Sequence, residues 1–303
     1  MKNTSLGFSD YRMSWITKQE TRDCKSAKTS TRMLKKRRMS GQPIGCFKNK
    51  VYFCTVKQYG LIGNPLSHSW SQRWFEQMFA REGIADTRYN LYEMPTLIGL
   101  RQWVADNDIR GFNVTIPHKE AVLPYLDELD QTASAIGAVN CVEVTEGRLI
   151  GHNTDAPAFL STLQPMLQPH HTAALILGTG GAAHAVAYAL GQLGIAYRHV
   201  SRQPERHHGA IGYSEALQLA SSHHLIVNAT PVGMYPHVEK TPWQMSHLLG
   251  SKHLCYDLIY NPSETLFLCE AKAAGAQTCG GLAMLERQAL LSWNIWEKLR
   301  KEI

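Results

Sequence analysis

The chain has 303 residues, of which 44% are apolar and 18% charged, and this ordinary globular composition excludes collagen-like, coiled-coil and wholly disordered proteins. The length suggests about two domains, and no apolar run approaches the ~20 residues that span a bilayer. The seven cysteines are odd in number and form no CxxC pair. This usage argues against a disulfide framework and favours a reducing, cytoplasmic compartment.

The net charge of +6 is unevenly distributed along the chain. Residues 1–57 contain 14 Lys and Arg against three Asp and Glu, whereas the rest of the chain is mildly acidic. The segment 1–56 shows no apolar periodicity, so it cannot bury enough apolar surface to offset the entropy cost of ordering. It could be an organellar transit peptide, a nucleic-acid-binding tail or a non-native extension. We favour the last, with the native chain beginning near Val56, and expect no nucleic-acid or membrane partner for the body.

From residue 58 onward, short apolar runs alternate with amphipathic helical stretches, which predicts a largely parallel α/β architecture. A first helix is predicted between Ser69 and Gly83, where Ser69 and Gln72 form a capping-box pattern. A last helix is predicted over about 281–301. The predicted strands lie at 58–62, 88–92, 111–116, 141–144, 148–151, 173–177, 197–201, 224–229, 253–258 and 276–279. The stretch 141–151 is predicted to form a hairpin with its turn at 145–147.

A glycine-rich turn follows the apolar run at 173–177. Gly178 would allow the tight turn, Gly180 would let the backbone approach a pyrophosphate, and Ala183 would let the following helix pack on the strand. The pattern fits GxGxxA between a buried strand and a helix predicted over 181–193. It therefore predicts dinucleotide binding, against the alternative of a glycine-rich turn without a ligand.

The next predicted strand ends at Ser201, followed by Arg202 and Gln203. An NAD enzyme usually has an acidic residue here, which accepts a hydrogen bond from the ribose 2′-hydroxyl. A guanidinium can instead bind a 2′-phosphate with two hydrogen bonds. The sequence therefore favours NADP(H) over NAD, although Arg202 could also be a solvated surface residue.

Polar residues follow several of the predicted strands in the first half of the chain. The segments are GNPLSHSWS at 63–71, NVTIPHK at 113–119, GAVN at 137–140 and NTD at 153–155. In open α/β sheets, ligands bind beyond the carboxyl ends of the strands, so we expect these groups to converge on one cleft.

These segments, together with GTGGAA, NATPVGM, YDLIYNP and GLAML, resemble the shikimate dehydrogenase family from about residue 58 to the C-terminus. The resemblance implies NADP-dependent reversible reduction of 3-dehydroshikimate to shikimate, in aromatic amino acid biosynthesis. It also implies a Rossmann-type NADP-binding domain at 155–280 and a discontinuous α/β substrate domain at 57–154 plus 281–303, with a cleft between them. Residues 1–56 have no counterpart in the family.

The resemblance also implies roles for individual residues. The catalytic pair would be Lys119 and Asp155. The substrate-binding residues would be Ser69, Ser71, Thr115, Asn140, Tyr260 and Gln288. The cofactor-binding residues would be Gly178, Gly180, Gly181, Ala182, Arg202, Thr230 and Gly281.

The chain departs from the family pattern near the nucleotide, where Ser201 replaces the usual Asn and Gln203 the usual Thr. A quinate/shikimate dehydrogenase with relaxed cofactor use therefore stays an alternative, as do a non-catalytic NADP-binding protein and a nucleic-acid binder. We expect no metal site, because the 14 histidines include three adjacent pairs, at 170–171, 207–208 and 223–224, whose members share no face, and no HExxH is present. We expect a monomer or a homodimer.

Overall fold

The computed structural model describes residues 43–47, 50–53, 56–67, 69–244 and 246–298. Most of the predicted extension 1–56 therefore lies outside the described residues, and its assignment stays a prediction. Within it, β1 (Pro43–Phe47) and β2 (Lys50–Phe53) pair as an antiparallel hairpin. The elements that follow belong to one compact unit, Gly41–Ile303.

The first large sheet has six strands among the described residues, in the order β4-β3-β5-β7-β8-β6. The strand bounds are β3 (Lys57–Gly63), β4 (Thr87–Glu93), β5 (Ile109–Val114), β6 (Glu128–Leu129), β7 (Cys141–Thr145) and β8 (Arg148–His152). Strand β3 runs parallel to β4 and β5, whereas β7 and β8 form the antiparallel hairpin that the sequence predicts at 141–151. The carboxyl ends of β3 and β5 therefore meet at one edge of the sheet.

Helices cover both faces of this sheet. The bounds are α1 (Ser71–Glu82), α2 (Leu100–Asp106), α3 (His118–Ala121) and α4 (Gln131–Ile136). Phe75 and Phe79 of α1 are buried in one core with Tyr59 of β3, whereas Val104 of α2 is buried in another with Phe112 of β5. Burial on both faces explains why residues 59–63 of β3 form an uninterrupted buried run.

The second sheet is parallel and has five strands among the described residues, in the order β10-β9-β11-β12-β13. The bounds are β9 (Ala173–Leu177), β10 (Ala196–Val200), β11 (Leu225–Asn228), β12 (Leu254–Asp257) and β13 (Gln277–Cys279). Its helices are α5 (Asp155–Leu163), α6 (Gly181–Gln192), α7 (Tyr213–Leu219) and α8 (Leu266–Ala273). Strand order changes direction beside β9, so its carboxyl end is a switch point where α/β proteins bind ligands.

Successive residues of β9 point into different cores, as the pleat of a strand requires. Ala174 and Ile176 pack with α5 and α6, whereas Leu175 and Leu177 pack with α7 and α8. The two cores account for the continuous apolar run, because neither face of the strand is exposed to water.

The last described helix, α9 (Leu282–Trp296), contacts the cores of both sheets. Met284 belongs to the core of the second sheet, whereas Ala289, Trp293 and Trp296 belong to a core of the first. Trp296 stacks on Tyr59 with ring centroids 4.9 Å apart, and its indole Nε1 donates to the Val142 carbonyl at 3.0 Å. Helix α9 thus holds the two halves together.

Two sequence-based expectations about helix ends need correction. The capping box is wrong, because α1 begins at Ser71, its N-cap is Trp70, and no side chain caps it. Ser69 Oγ instead accepts from the Ser71 backbone N–H at 3.3 Å. The last helix ends at Trp296 rather than near 301. In the described part of the chain no helix has both the length and the apolar character of a membrane span.

Gly111 of β5 lies directly under the Trp296 indole, where a Cβ would overlap the ring carbons. We therefore expect Gly111→Ala to displace Trp296 and lower the free energy of unfolding by about 1–3 kcal/mol, the usual cost of overpacking. The control is Gly191→Ala in α6, where a Cβ would meet open space and should add up to ~1 kcal/mol of stability. Urea denaturation of both variants checks this, and equal stability of the two would contradict it.

Candidate active site

Lys119 and Asp155 meet between the two sheets. Lys119 lies in α3, just beyond the end of β5, and Asp155 is the first residue of α5. The Lys119 Nζ donates to Asp155 Oδ2 at 2.6 Å, and the side chains are 17% and 8% exposed, respectively. The structure therefore brings the predicted catalytic pair into direct contact at the carboxyl edge of the first sheet.

Asn140 completes the surroundings of the Asp155 carboxylate. Its Nδ2 donates to Asp155 Oδ1 at 2.9 Å, while its Oδ1 accepts from the Thr154 backbone N–H at 2.7 Å. A buried carboxylate costs free energy unless its oxygens are paired. Lys119 and Asn140 take one oxygen each, so the carboxylate is fixed in orientation as well as satisfied.

The network continues into helix α9. Gln288 Oε1 lies 3.4 Å from Asn140 Nδ2. The Nε2 of Gln288 donates to the Leu285 carbonyl at 3.0 Å. Asn113 Nδ2 donates to Ser292 Oγ at 2.8 Å. These groups are buried, so each hydrogen bond that they form restrains a neighbour.

Three members of this network were absent from the sequence-based site: Asn113, Thr154 and Ser292. Asn113 and Thr154 lie inside the NVTIPHK and NTD segments, so the position of those segments was a usable signal. Nothing in the sequence around Ser292 distinguishes it from other helical serines. Its role arises because α9 packs across the end of β5.

The glycine-rich loop has the geometry that a dinucleotide requires. Gly178 has a φ of 118°, and a side chain there would press on the Ala229 carbonyl. Gly180 is the N-cap of α6, and a Cβ there would meet nothing within 4 Å, so its backbone is open to a pyrophosphate. Ala182 follows in the first turn of the helix. These residues therefore fit a dinucleotide.

The same loop touches the predicted catalytic lysine. A Cβ built on Gly181 would lie 3.2 Å from both the Lys119 Cβ and the Ala138 Cβ. A side chain at this position would require the Lys119 or Ala138 side chain to shift by a few tenths of an ångström. Because this position has no side chain, the glycine-rich loop packs directly against the polar pair.

The end of β10 is basic and exposed. Arg202 and Arg206 form no ion pair with another described residue, and Arg202 lies close enough to Tyr213 to lower that phenol's pKa against the rise that burial causes. The loop after β10 also contacts the glycine-rich loop, because His207 Nε2 is 3.2 Å from Thr179 Oγ1. The two loops are therefore adjacent, with unpaired guanidinium groups beside them.

A cavity of about 520 Å³ contains two of the predicted substrate-binding residues, Ser69 and Tyr260. Burial raises the pKa of the Tyr260 phenol, and a hydrogen bond with the Trp70 backbone opposes that rise. Ser71 does not line this cavity. Its side chain lies near the buried Tyr89 and lowers the pKa of that phenol against the rise that burial causes. Thr115 is half-buried beyond the end of β5, and its backbone N–H donates to Ile62.

Thr230 and Gly281 occupy loops beyond β11 and β13. Thr230 Oγ1 donates to Asn228 Oδ1 at 2.7 Å, and Asn228 Nδ2 donates to Asp257 Oδ1 at 3.0 Å. The Gly281 N–H donates to Ile259 at 3.0 Å. The Thr230 loop is thus built on the buried Asp257, which the sequence reasoning did not single out. In the described part of the chain, no group of three His, Cys, Asp or Glu side chains is placed to hold a metal ion.

Comparison with known proteins finds similarity to the family that the sequence motifs indicate. Residues 61–142 match the family model described as the shikimate dehydrogenase substrate binding domain. The chain is 38% identical to the shikimate dehydrogenase (NADP(+)) of Shouchella clausii strain KSM-K16 over 258 residues, which cover 80% of this chain and 93% of that relative. The chain belongs to the shikimate dehydrogenase family.

Solved structures of the family agree with the observed fold. The shikimate 5-dehydrogenase of Thermus thermophilus in complex with NADP(H) and shikimate has a TM-score of 0.73 and 36% identity, covering 81% of this chain and 95% of that one. The quinate dehydrogenase of Corynebacterium glutamicum in complex with NAD has a TM-score of 0.71 and 28% identity, covering 81% and 95%. The predicted α/β fold class is confirmed.

Burial raises the pKa of Asp257 from its ordinary value of 3.8 to about 6, against hydrogen bonds from Thr265, Ile259 and Asn228 that lower it. The folded state therefore holds this proton more tightly than the unfolded state. The stability that the proton contributes is complete below about pH 4 and is lost as the pH rises through 6.

We compare the free energy of unfolding of wild type with that of Asp257→Asn. We expect the value for wild type minus that for the variant to fall by at most about 3 kcal/mol between pH 4 and pH 7. The reason is that the amide of the variant does not titrate. Urea denaturation at a series of pH values checks this, with Asp106→Asn, at the exposed end of α2, as the control. A difference that grows with pH would contradict the raised pKa.

Proposed function

We propose that this chain catalyses the NADP(H)-dependent, reversible reduction of 3-dehydroshikimate to shikimate, in aromatic amino acid biosynthesis. The observation that carries the proposal is the contact of Lys119 Nζ with Asp155 Oδ2 at 2.6 Å, beside Gly181 of the glycine-rich loop. An acid–base pair and a nucleotide cradle in one space are what ketone reduction by a nicotinamide requires. Bound NADPH would supply the hydride.

Lys119 would act on the carbonyl oxygen of the substrate. As negative charge develops on that oxygen, the ammonium stabilises it and transfers a proton from Nζ. In the reverse direction, the neutral amine accepts the proton of the alcohol. The Lys119 side chain is 17% exposed, so most of it is shielded from water.

Asp155 and Asn140 would hold this geometry. Asp155 Oδ2 orients the ammonium, and Oδ1 is held by Asn140 Nδ2 at 2.9 Å, so the carboxylate cannot rotate away. Thr115, Asn140 and Gln288 would bind hydroxyl groups of the substrate ring. Such positioning lowers the barrier because the reacting groups are oriented before reaction.

We further propose a two-domain organisation around this site. The substrate domain would comprise 57–154 and 281–303, and the NADP-binding domain 155–280. The first contains the six-stranded sheet and the second the five-stranded sheet. Gly178, Gly180, Gly181 and Ala182 would bind the pyrophosphate, and Thr230 and Gly281 would lie near the nicotinamide. A cytoplasmic monomer or homodimer fits this assignment.

A quinate/shikimate dehydrogenase with relaxed cofactor use is the second candidate, because the chain is also similar to a quinate dehydrogenase in complex with NAD. The basic Arg202 at the end of β10 favours a phosphorylated ribose instead. Initial rates with 3-dehydroshikimate and with quinate, each with both cofactors, separate the two. Preference for 3-dehydroshikimate and NADPH supports our proposal, whereas preference for quinate and NAD overturns it.

Lys119→Ala is expected to lower kcat by about 10²–10⁴-fold, the usual effect of losing a positioned acid or base. NADPH binding should be retained. Asp155→Asn should also lower kcat, and the double variant should be scarcely worse than Lys119→Ala, because residues that act together are non-additive. Steady-state kinetics and NADPH fluorescence check this, with Lys272→Ala, an exposed lysine of α8, as the control. A kcat within a few-fold of wild type would refute the role of Lys119.

Arg202→Asp is expected to weaken NADPH binding by roughly 2–3 kcal/mol, since hydrogen bonds to charged groups contribute about that much. NADH lacks the 2′-phosphate, so its affinity should change far less. The control is Arg198→Asp, an exposed arginine within β10, the strand that precedes Arg202. Fluorescence titration with both cofactors measures the effect, and an equal loss for NADPH and NADH would show that Arg202 does not bind the 2′-phosphate.

A further inference from the structure

The cavity that contains Ser69 and Tyr260 has the chemistry of an anion site. One guanidinium comes from Arg73, and hydroxyl groups come from Ser67, Ser69, Tyr260 and Ser263. Among the described residues that line it, none is acidic and Arg73 alone carries a formal charge. A space of about 520 Å³ with these donors suits a small organic acid.

Arg73 has no partner within the described part of the chain. No hydrogen bond or ion pair joins its guanidinium to another described residue, and the side chain is exposed. In contrast, Arg81 on the same helix pairs with Glu82 at 3.0 Å. The guanidinium of Arg73 is therefore available to a ligand.

The position of Arg73 in its helix is unfavourable for a cation. It is the third residue of α1, whose first turn contains no acidic side chain. The amino end of a helix carries a partial positive charge, so a cation there is destabilising unless an anion accompanies it. A bound carboxylate would remove this repulsion.

The resemblance to the family implies that Ser69 and Ser71 bind the substrate carboxylate, with Tyr260 nearby, but Ser71 does not line the cavity. We propose that Arg73 binds the substrate carboxylate together with Ser69 and Tyr260, and that it selects anionic substrates over uncharged ones. The inference rests on the proposed function, since shikimate and 3-dehydroshikimate both carry this carboxylate. A planar guanidinium can bind it with two parallel hydrogen bonds.

The test compares wild-type protein, Arg73→Gln, Arg73→Lys and the control Arg81→Gln in shikimate oxidation, using shikimate and its methyl ester. We expect Arg73→Gln to raise the KM for shikimate by about 10- to 100-fold, as for the loss of a charged hydrogen bond. Its kcat and its Kd for NADP should stay within about threefold of wild type. Arg73→Lys should have an intermediate KM for shikimate, because lysine keeps the positive charge but cannot form the two parallel hydrogen bonds of a guanidinium.

The methyl ester isolates the contribution of the carboxylate. Wild type should use the ester less efficiently than the acid, and Arg73→Gln should lose this discrimination. An unchanged KM, an equal loss for acid and ester, or the same effect in Arg81→Gln would overturn the proposal. Thermal melting confirms that each variant is folded.

Failure of the proposed function would have a different signature. If wild type showed no turnover, calorimetric titration with shikimate would decide the role of Arg73 separately. Tighter binding by wild type than by Arg73→Gln would support it. Equal binding, or none to wild type, would overturn it.

Discussion

The structure depends on keeping the Asp155 carboxylate inside the protein with both of its oxygens paired. Lys119 reaches it from the first sheet and Asn140 from the loop before β7, at 2.6 and 2.9 Å. Asp155 itself begins α5, which packs on the second sheet. Because an unpaired buried charge is costly, this requirement fixes how the two sheets approach each other. It also places an ammonium group at a defined point between them.

Helix α9 extends this constraint over a longer distance. Its first half packs in the core of the second sheet through Met284, and its second half packs against the first sheet through Trp293 and Trp296. Between these contacts, Gln288 and Ser292 enter the polar network. One element thus contributes to two cores and to the candidate site. Substitutions that disturb its packing should therefore affect the alignment of the polar groups as well as stability.

The two sides of the candidate site differ in how much of their polarity the protein satisfies by itself. Around Asp155 and Asn140 the side chains bond one another, so the geometry exists before a ligand arrives. Arg73 and Arg202, in contrast, are exposed guanidinium groups without described ion pairs. Both are suited to bind negative groups that the protein does not supply. The ordered polar groups therefore lie around Asp155, whereas the exposed positive charges lie at Arg73 and Arg202.

The sequence by itself determined the features that depend on local pattern. The strand at 173–177, the glycine-rich turn and the hairpin at 141–151 occur where predicted, because burial on two faces, the glycine spacing and turn chemistry each leave a short-range signal. The motif segments also located Lys119, Asp155 and Asn140. Tertiary structure alone decided the rest. Ser292 enters the network only because α9, remote in sequence, packs beside those segments. The cavity that Arg73 lines is completed by Tyr260 and Leu282, which come from distant parts of the chain. Likewise, Ser69 caps no helix, since its hydroxyl is used in the loop that shapes the cavity.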